Sequence, residues 1–301
     1  MPSQRDVKNR IASVQNIRKI TRAMEMVAAA RLRRAEQRIA ELRPYADALR
    51  RMTRQAADAA GAAEVQRLPL LAEHESERKI GLLLMTADRG LAGAFNSQII
   101  RAGIRTGDEL SGEGKELRWY ASGRRGVSSL TFRGREVAGG YTGFTERPSF
   151  ADARSIADDL MTAYIDGQVD RVEVFYNGYI SPLTQRVTRE TLLPLAHATI
   201  LGEESEEGGE EKKGARALVE YEPDPQLILQ RLVPDYVEIS IYRALLESTA
   251  SELGARMTAM RNASENAGDL IQDLTLEMNR ARQAEITQEI MEVVAGAEGL
   301  S

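Results

Sequence analysis

The carboxyl-terminal segment, residues 236–301, carries one long apolar stripe that restricts the possible folds of this chain. Hydrophobic residues recur there at every third or fourth position, a repeat that is typical of a coiled-coil seam when it continues for more than about three heptads. The predicted seam consists of Leu246, Ala250, Leu253, Met257, Met260, Ala263, Ala267, Leu270, Leu274, Met278 and Ala281, extended by Ile286, Ile290 and Val293. A helix of about 55–60 residues would be roughly 80–90 Å long, so one compact domain could not cover its stripe.

The amino-terminal segment, residues 1–60, predicts a second long helix. It lacks glycine, and its apolar residues have the same spacing: Val7, Ile11, Val14, Ile17, Ile20, Met24 and Val27. Pro44 cannot donate a backbone hydrogen bond, so we expect a kink or a brief break there. This segment contains 14 Lys and Arg against 6 Asp and Glu, whereas residues 236–301 contain 5 Arg against 11 acidic residues. Opposite charge favours pairing of the two helices with each other.

The middle of the chain, residues 61–235, alternates strand and helix patterns, which favours a parallel or mixed sheet with helices on its faces. The predicted strands are Lys79–Thr86, Leu117–Ser122, Arg171–Tyr176 and Ser181–Pro194. A helix is expected to start within Ser97–Arg105, and another over Phe150–Ile165 behind a Ser149 cap. Turns are expected at Gly123–Gly126 and at Asn177-Gly178. Residues 203–213 contain six glutamates and no apolar residue, and they predict a solvated, flexible loop.

The composition excludes several kinds of catalytic site. The chain has no cysteine, which excludes disulfides, Cys-ligated zinc, iron–sulfur clusters and a cysteine nucleophile. Its two histidines are His74, expected in solvent, and His197, expected at or near the surface. No P-loop, H-E-x-x-H or G-x-S-x-G motif occurs. We therefore assign no catalytic residue, cofactor or metal ligand.

Two alternatives remain open from the residues alone. The turn at Asp88–Gly93 lies where doubly wound folds hold phosphates, although it lacks the G-x-G-x-x-G spacing, so a nucleotide- or flavin-binding α/β enzyme is one alternative. A coiled-coil nucleic-acid-binding protein is the other, because the first helix is basic. Acidic residues interrupt that basic helix and Tyr45 is its one aromatic residue, so pairing with the acidic helix explains its charge more simply.

Five motifs make the chain resemble the gamma subunit of F-type ATP synthases, of the bacterial type. They are IASVQNIRKITRAMEMVAAA (residues 11–30), DRGLAGAFN (88–96), YEPDP (221–225), ALLESTASELGARMTAMRNASENA (244–267) and LTLEMNRARQAEITQEI (274–290). The resemblance extends over essentially the whole chain. It implies an α/β fold in which the amino- and carboxyl-terminal helices form a long antiparallel coiled coil attached to a central Rossmann-like domain.

The resemblance also implies a function. The gamma subunit is the rotating central stalk, which couples proton flow through the membrane c ring to ATP synthesis or hydrolysis in the ring of alpha and beta subunits. The implied partners are the alpha, beta and epsilon subunits and the c ring, with no nucleic acid. The chain would have no catalytic site of its own. It would be a peripheral protein on the cytoplasmic side of the cell (inner) membrane, associated with the membrane only through the complex.

Site residues are carried over from the resemblance position by position. Met24 and Arg256 match positions near a lever of the beta subunit, although Met24 is equally well explained as a seam residue. The residues that match a cluster contacting a catch loop of beta are Arg282, Gln283, Thr287 and Glu289. Asp88 and Arg89 match a loop that faces beta, with a self-stabilised turn as the alternative for Asp88. Ile290, Val293 and Val294 would form an apolar bearing tip.

Overall fold

Two long helices begin and end the described chain. The computed structural model describes residues 4–61, 67–74, 76–195 and 224–298, so the acidic segment 203–213, His197 and most of the YEPDP motif lie outside it. Helix α1 covers Gln4–Ala60 and helix α5 covers Pro225–Glu298. The expected break at Pro44 is wrong, because α1 continues through it. Pro44 is exposed, so the carbonyl that loses its helical hydrogen bond can be hydrated instead.

A five-stranded sheet forms the centre of the α/β domain, with the strand order β3-β2-β1-β4-β5. The first four strands in this order are parallel and β5 is antiparallel to β4. The strands are β1 (Lys79–Met85), β2 (Glu116–Ser122), β3 (Val137–Tyr141), β4 (Arg171–Ser181) and β5 (Thr184–Leu193). The intervening helices are α2 (Phe95–Gly112), α3 (Arg124–Phe132) and α4 (Phe150–Ile165). This topology confirms the predicted Rossmann-like domain.

Strand β1 is buried on both faces and divides the core into two clusters. Leu83 and Met85 pack with residues of α4 and α5, whereas Leu82 and Leu84 pack with residues of α2 and α3. On the second face, α2 lies very close to the sheet, because a Cβ atom on Gly107 would lie 2.5 Å from the Trp119 ring. A central strand of a parallel sheet is expected to be apolar on both faces, as this one is.

Three local predictions are corrected by the structure. The expected turn at Gly123–Gly126 is instead the start of α3, with Gly123 before it at φ +89°. Strand β3, Val-Ala-Gly-Gly-Tyr, was not predicted, because two glycines hide its alternation. Asn177-Gly178 lies inside β4, and the chain reverses between Ser181 and Thr184. The Asn177 side-chain N–H donates to the Phe95 carbonyl at 3.3 Å, so this residue bonds within the core instead of forming a turn. The Ser149 cap of α4 is confirmed, as a capping box with Asp152.

The chain divides into two compact units, residues 1–30 with 256–301, and residues 31–255. In the first unit, the Arg261 guanidinium pairs with the Glu25 carboxylate at 2.9 Å, and a Cβ atom on Gly268 would lie 3.5 Å from the Arg18 guanidinium. From Arg261 to Gly268, α5 advances by seven residues, while their neighbours on α1 go back by seven residues, from Glu25 to Arg18. The two helices are therefore antiparallel, with a one-for-one register over two turns.

The seam on α5 follows the predicted repeat closely. One set of its buried and half-buried positions advances in alternating steps of three and four, and this set is Met257, Met260, Ser264, Ala267, Ile271, Leu274, Met278 and Ala281. Leu270, predicted on the seam, is exposed, and so are Ile286, Ile290 and Val293 of its predicted extension. A spacing that averages 3.5 residues keeps one stripe of each helix facing its partner.

The seam on α1 differs from the predicted stripe. Val7, Thr21 and Ala28 are buried and follow a seven-residue repeat, in which Val14 is half-buried. Ile17, Ile20 and Val27 are 53%, 59% and 52% exposed. The residues of the predicted stripe are mostly three positions apart, whereas a coiled-coil seam needs an average spacing of 3.5 residues. Successive residues at the shorter spacing lie progressively farther around the helix from the seam. These residues therefore form a separate exposed apolar face of α1.

Candidate functional site

The crevice at which doubly wound folds bind their ligands is filled by the chain itself. It lies beyond the carboxyl ends of β1 and β4, where the strand order changes direction. There Ser248 of α5 donates to the Met85 carbonyl at 3.3 Å, and Ser251 donates to the Asn177 carbonyl at 2.9 Å. The cavity left beside Met85, Phe95 and Ser248 is about 10 Å³. A single water needs about that much space, so a nucleotide or flavin does not fit there.

Neither a metal site nor a solvated histidine is found in the described residues. No group of three or more histidine, aspartate and glutamate side chains lies together there as metal ligands would. The expectation of a solvated His74 is wrong, since its ring lies 4.5 Å from that of Tyr164 and its Nδ1 is 3.0 Å from Asp170. Asp170 also accepts from the backbone N–H groups of Arg78 and Lys79. His74 thus holds its segment to the edge of β1.

Asp88 is a structural carboxylate, but its partners lie in other loops and not in its own turn, where the self-stabilised alternative expected them. Its side chain is 8% exposed, and one oxygen accepts from the Thr145 hydroxyl at 2.9 Å and the Gly143 N–H at 2.9 Å. The other accepts from the Arg124 N–H at 3.1 Å. Burial opposes ionisation, but the Thr145 hydroxyl and these N–H groups lower the pKa of Asp88 below its ordinary value. Asp88 therefore joins three loops at one end of the sheet.

The exposed side chains of the same turn are those of Arg89 and Leu91. The Arg89 guanidinium is mostly exposed and pairs with Glu146 at 3.0 Å. Leu91 is exposed and has φ +65°, a conformation that side-chain-bearing residues rarely adopt. An apolar side chain held in this way toward solvent is a candidate contact. The sequence prediction missed it, although an apolar residue between Gly90 and Gly93 was an available signal.

The carboxyl-terminal end of α5 brings the remaining predicted contacts together. Arg282, Gln283, Thr287 and Glu289 are all exposed, as are the predicted tip residues Ile290, Val293 and Val294. Extended to the start of α1, the antiparallel register puts Gln4 opposite residue 282. The described part of α1 therefore provides no partner for the end of α5. Apolar side chains such as Val293, which is 72% exposed, remain uncovered there.

Met24 and Arg256 are both half-buried in this same unit. Met24 is three or four residues from the exposed Ile20 and Val27 and also from the buried Thr21 and Ala28, so it lies at the border between the exposed face and the seam. Asp88 and Arg89 belong to the other compact unit, residues 31–255.

No helix of the described residues has the length and the hydrophobicity that crossing a membrane requires.

Comparison with known proteins gives full-length matches. A sequence model of the family described as ATP synthase matches residues 3–300. An ATP synthase gamma chain of Rubrobacter xylanophilus is 42% identical over 304 residues, covering 100% of this chain and 99% of the relative. That of Heliobacterium modesticaldum is 42% identical over 301 residues, covering 100% of both.

Solved structures match the fold. A chain of the Tetrahymena thermophila mitochondrial ATP synthase central stalk and c ring has a TM-score of 0.60 and 26% identity, covering 81% of this chain and 99% of that one. A chain of the Euglena gracilis mitochondrial ATP synthase has a TM-score of 0.69 and 20% identity, covering 99% and 94%. With its sequence matched from end to end, this chain belongs to the ATP synthase gamma-chain family.

Proposed function

We propose that the chain is the rotating central stalk of an F-type ATP synthase, turned by a membrane c ring and acting on a ring of alpha and beta subunits. The observation that carries this proposal is the end of α5. From Arg282 onward its apolar and polar side chains are exposed, and the described part of α1 does not extend far enough to cover them. Full-length identity to gamma chains supports the same role.

The apolar tip serves as a bearing inside that ring. Ile290, Val293 and Val294 lie within two turns of one helix, and Met291 adds a further exposed apolar side chain. Covering such a side chain completely gains about 1.5–3 kcal/mol. Apolar contact is not directional, so it holds the shaft at the ring axis while allowing it to turn.

The polar residues beside the tip provide the directional contacts. Gln283 and Thr287 are four residues apart and therefore lie on one face of α5, and they contact a catch loop of beta together with Arg282 and Glu289. Met24 and Arg256 contact the beta lever farther along the shaft. At the α/β domain, Arg89 and Leu91 make the contact with beta, and Asp88 holds their turn in place.

Rotation drives catalysis because the shaft is asymmetric. A ligand shifts an equilibrium only through different affinities for the competing states, and the same condition applies to a shaft that favours one state of each catalytic site in turn. The epsilon subunit and the c ring hold the α/β domain, and the chain is peripheral on the cytoplasmic side of the membrane. The division into residues 1–60, 61–235 and 236–301 stays a prediction.

Reconstitution tests the proposal. Mixed with alpha and beta subunits, the chain should join their hexamer and change its rate of ATP hydrolysis. If the chain neither joins the hexamer nor changes its rate of ATP hydrolysis, the rotary role is contradicted.

A double variant tests the contact at the end of the shaft. Gln283→Ala with Thr287→Ala should lower proton pumping per ATP hydrolysed in the full complex. Both residues are exposed and alanine favours helix, so the isolated chain should keep its unfolding midpoint. Gln98→Ala, at an exposed glutamine of α2, is the matched control. Unchanged coupling in the double variant would show that Gln283 and Thr287 are not needed for the contact with beta.

A further inference from the structure

The loop between β3 and α4, residues 142–149, is fixed firmly to the α/β domain, and we call it the coupling loop. At its start, the Gly143 N–H and the Thr145 hydroxyl donate to Asp88, each at 2.9 Å. At its end, the Ser149 N–H donates to the Asp152 carboxylate at 2.7 Å within the capping box of α4. Both ends of the loop are thus held by hydrogen bonds to a carboxylate.

The same loop contacts both long helices. On the α1 side, the Arg31 guanidinium pairs with Glu146 at 2.8 Å. On the α5 side, the Thr249 hydroxyl lies 3.0 Å from the Thr145 carbonyl and 2.8 Å from the Leu245 carbonyl of its own helix, and it can donate to either. Neighbouring residues of a single loop therefore bind one helix from each end of the chain.

A second residue of α1, two helical turns farther along, also binds the coupling loop. Arg38 lies seven residues after Arg31, and its guanidinium donates to the Pro148 carbonyl of the coupling loop. The same guanidinium donates to the Tyr242 hydroxyl of α5 at 3.0 Å. Arg38 thus links both helices and the loop.

Glu146 is shared between a helix and the sheet domain. One of its carboxylate oxygens pairs with Arg31 of α1, and the other pairs at 3.0 Å with Arg89 in the turn after β1. The Arg31 contact is a hydrogen bond as well as an ion pair, whereas the Arg89 contact is an ion pair alone. Because both cations attract the same carboxylate, rotation of α1 relative to the sheet would separate at least one pair of opposite charges.

The apolar contact between the helices at the level of the coupling loop is small. Its buried members are Leu32, Ala35, Ala250 and Leu253, with Ile39 and Tyr179 packed against them. Two of these side chains are single methyl groups, and apolar packing is not directional. The polar contacts of the coupling loop add directional contacts to this small seam, beside the larger core in which α5 packs against the sheet.

We propose that the coupling loop transmits torque between the α/β domain and the two helices, with Glu146 as its positioning residue. The proposal rests on the rotary function. When the domain is turned against a load, the helices must turn with it, and slip between them requires the Arg31–Glu146–Arg89 bridge to break.

The test uses the complete reconstituted complex in sealed vesicles, pumping protons by ATP hydrolysis. Glu146→Ala should leave ATP hydrolysis and pumping unchanged when no proton gradient opposes them. Against a large opposing gradient, pumping per ATP should fall by roughly twofold to fivefold, the factor that one partly exposed ion pair is worth. Glu113→Ala, at an exposed glutamate on the domain surface, is the matched control and should behave like wild type. A merely structural role for Glu146 would lower coupling equally with and without load.

A cross-link gives an independent readout. The chain has no cysteine, so Arg31→Cys with Glu146→Cys introduces a unique pair for a bis-maleimide reagent. Before cross-linking, this variant should lose coupling under load as Glu146→Ala does. After cross-linking, coupling should return and ATP hydrolysis should continue at the wild-type rate, because the joined residues move together.

Two results would overturn the proposal. One is Glu146→Ala coupling that equals wild type under load, and the other is a cross-link that stops ATP hydrolysis, since that would mean that helix and loop move past each other. Failure of the rotary function has a different signature, because wild type would then not assemble or pump at all.

Discussion

At the scale of single residues, Asp88 shows how one carboxylate organises a surface that other residues then present. It accepts hydrogen bonds from the loop after β3 and from the first turn of α3, while Arg89 and Leu91 beside it remain exposed. The family resemblance assigned Asp88 and Arg89 the same role, but the structure separates them. The sequence could not make this distinction, because the partners of Asp88 lie about 36 and 57 residues away along the chain.

Asp88→Asn should destabilise the isolated chain at pH 7 by about 1–3 kcal/mol, because it removes a charged acceptor from buried donors. A carboxylate whose pKa is lower in the folded than in the unfolded state stabilises the fold above about pH 4, and this stabilisation is lost as the pH falls through the folded value. The difference between wild type and variant should therefore narrow at pH 3.

Urea unfolding at pH 7 and at pH 3 measures that difference. Asp269→Asn, at an exposed aspartate on α5, is the control and should show little effect at either pH. An Asp88→Asn penalty that is equal at both pH values would mean that the charge of Asp88 does not hold the turn.

At the scale of elements, periodicity predicted the two long helices but not the face that each one buries. On α5 the predicted seam is largely correct, because steps of three and four alternate there. On α1 the prediction assigned the apolar residues Ile17 and Ile20 to the seam and omitted Thr21, which is polar but buried. In a single sequence, exposed apolar residues that contact a partner cannot be distinguished from residues of the core.

In the α/β domain, the Ser149 capping box was predictable from the residues next to it in the sequence. The turn predicted at Asn177-Gly178 did not form, because both residues pair within the sheet.

Two valines of α1 allow a matched test of the corrected seam. Val7 is fully buried and Val27 is 52% exposed. Val7→Ala should lower the free energy of unfolding by roughly 1–2 kcal/mol through lost apolar burial, and Val27→Ala should change it by less than about 0.5 kcal/mol. Thermal or urea unfolding of the isolated chain distinguishes the two. Equal destabilisation by both variants would mean that Val27 is buried in the seam, as the sequence predicted.

At the scale of the whole molecule, the chain combines a nucleotide-binding topology with an occupied crevice. Ser248 and Ser251 of α5 occupy the carboxyl end of β1 and β4, where a doubly wound enzyme would leave space for its ligand. The fold class was predictable from the order of strands and helices. The filling of the crevice was not, since it depends on a helix that follows β4 by more than 40 residues.

The isolated chain should therefore bind neither ATP nor flavin mononucleotide. Calorimetric titration should show no saturable heat, and the unfolding temperature should not rise at a ligand concentration of about 1 mM, since binding to the folded state alone would raise it. A functional alpha/beta ring is the positive control for ATP. Saturable binding to the isolated chain would favour the enzyme alternative.

The antiparallel pairing of the two ends of the chain also sets the order of events during synthesis on the ribosome. Residues 4–30 are made before their partners, which start at Arg256, about 225 residues later. At 5–20 residues per second, the seam side of α1 stays unpaired for roughly 10–45 s. During that time Val7 and Ala28 are exposed together with Ile17 and Ile20. The nascent chain thus has a long period in which early capture by a chaperone would prevent its aggregation.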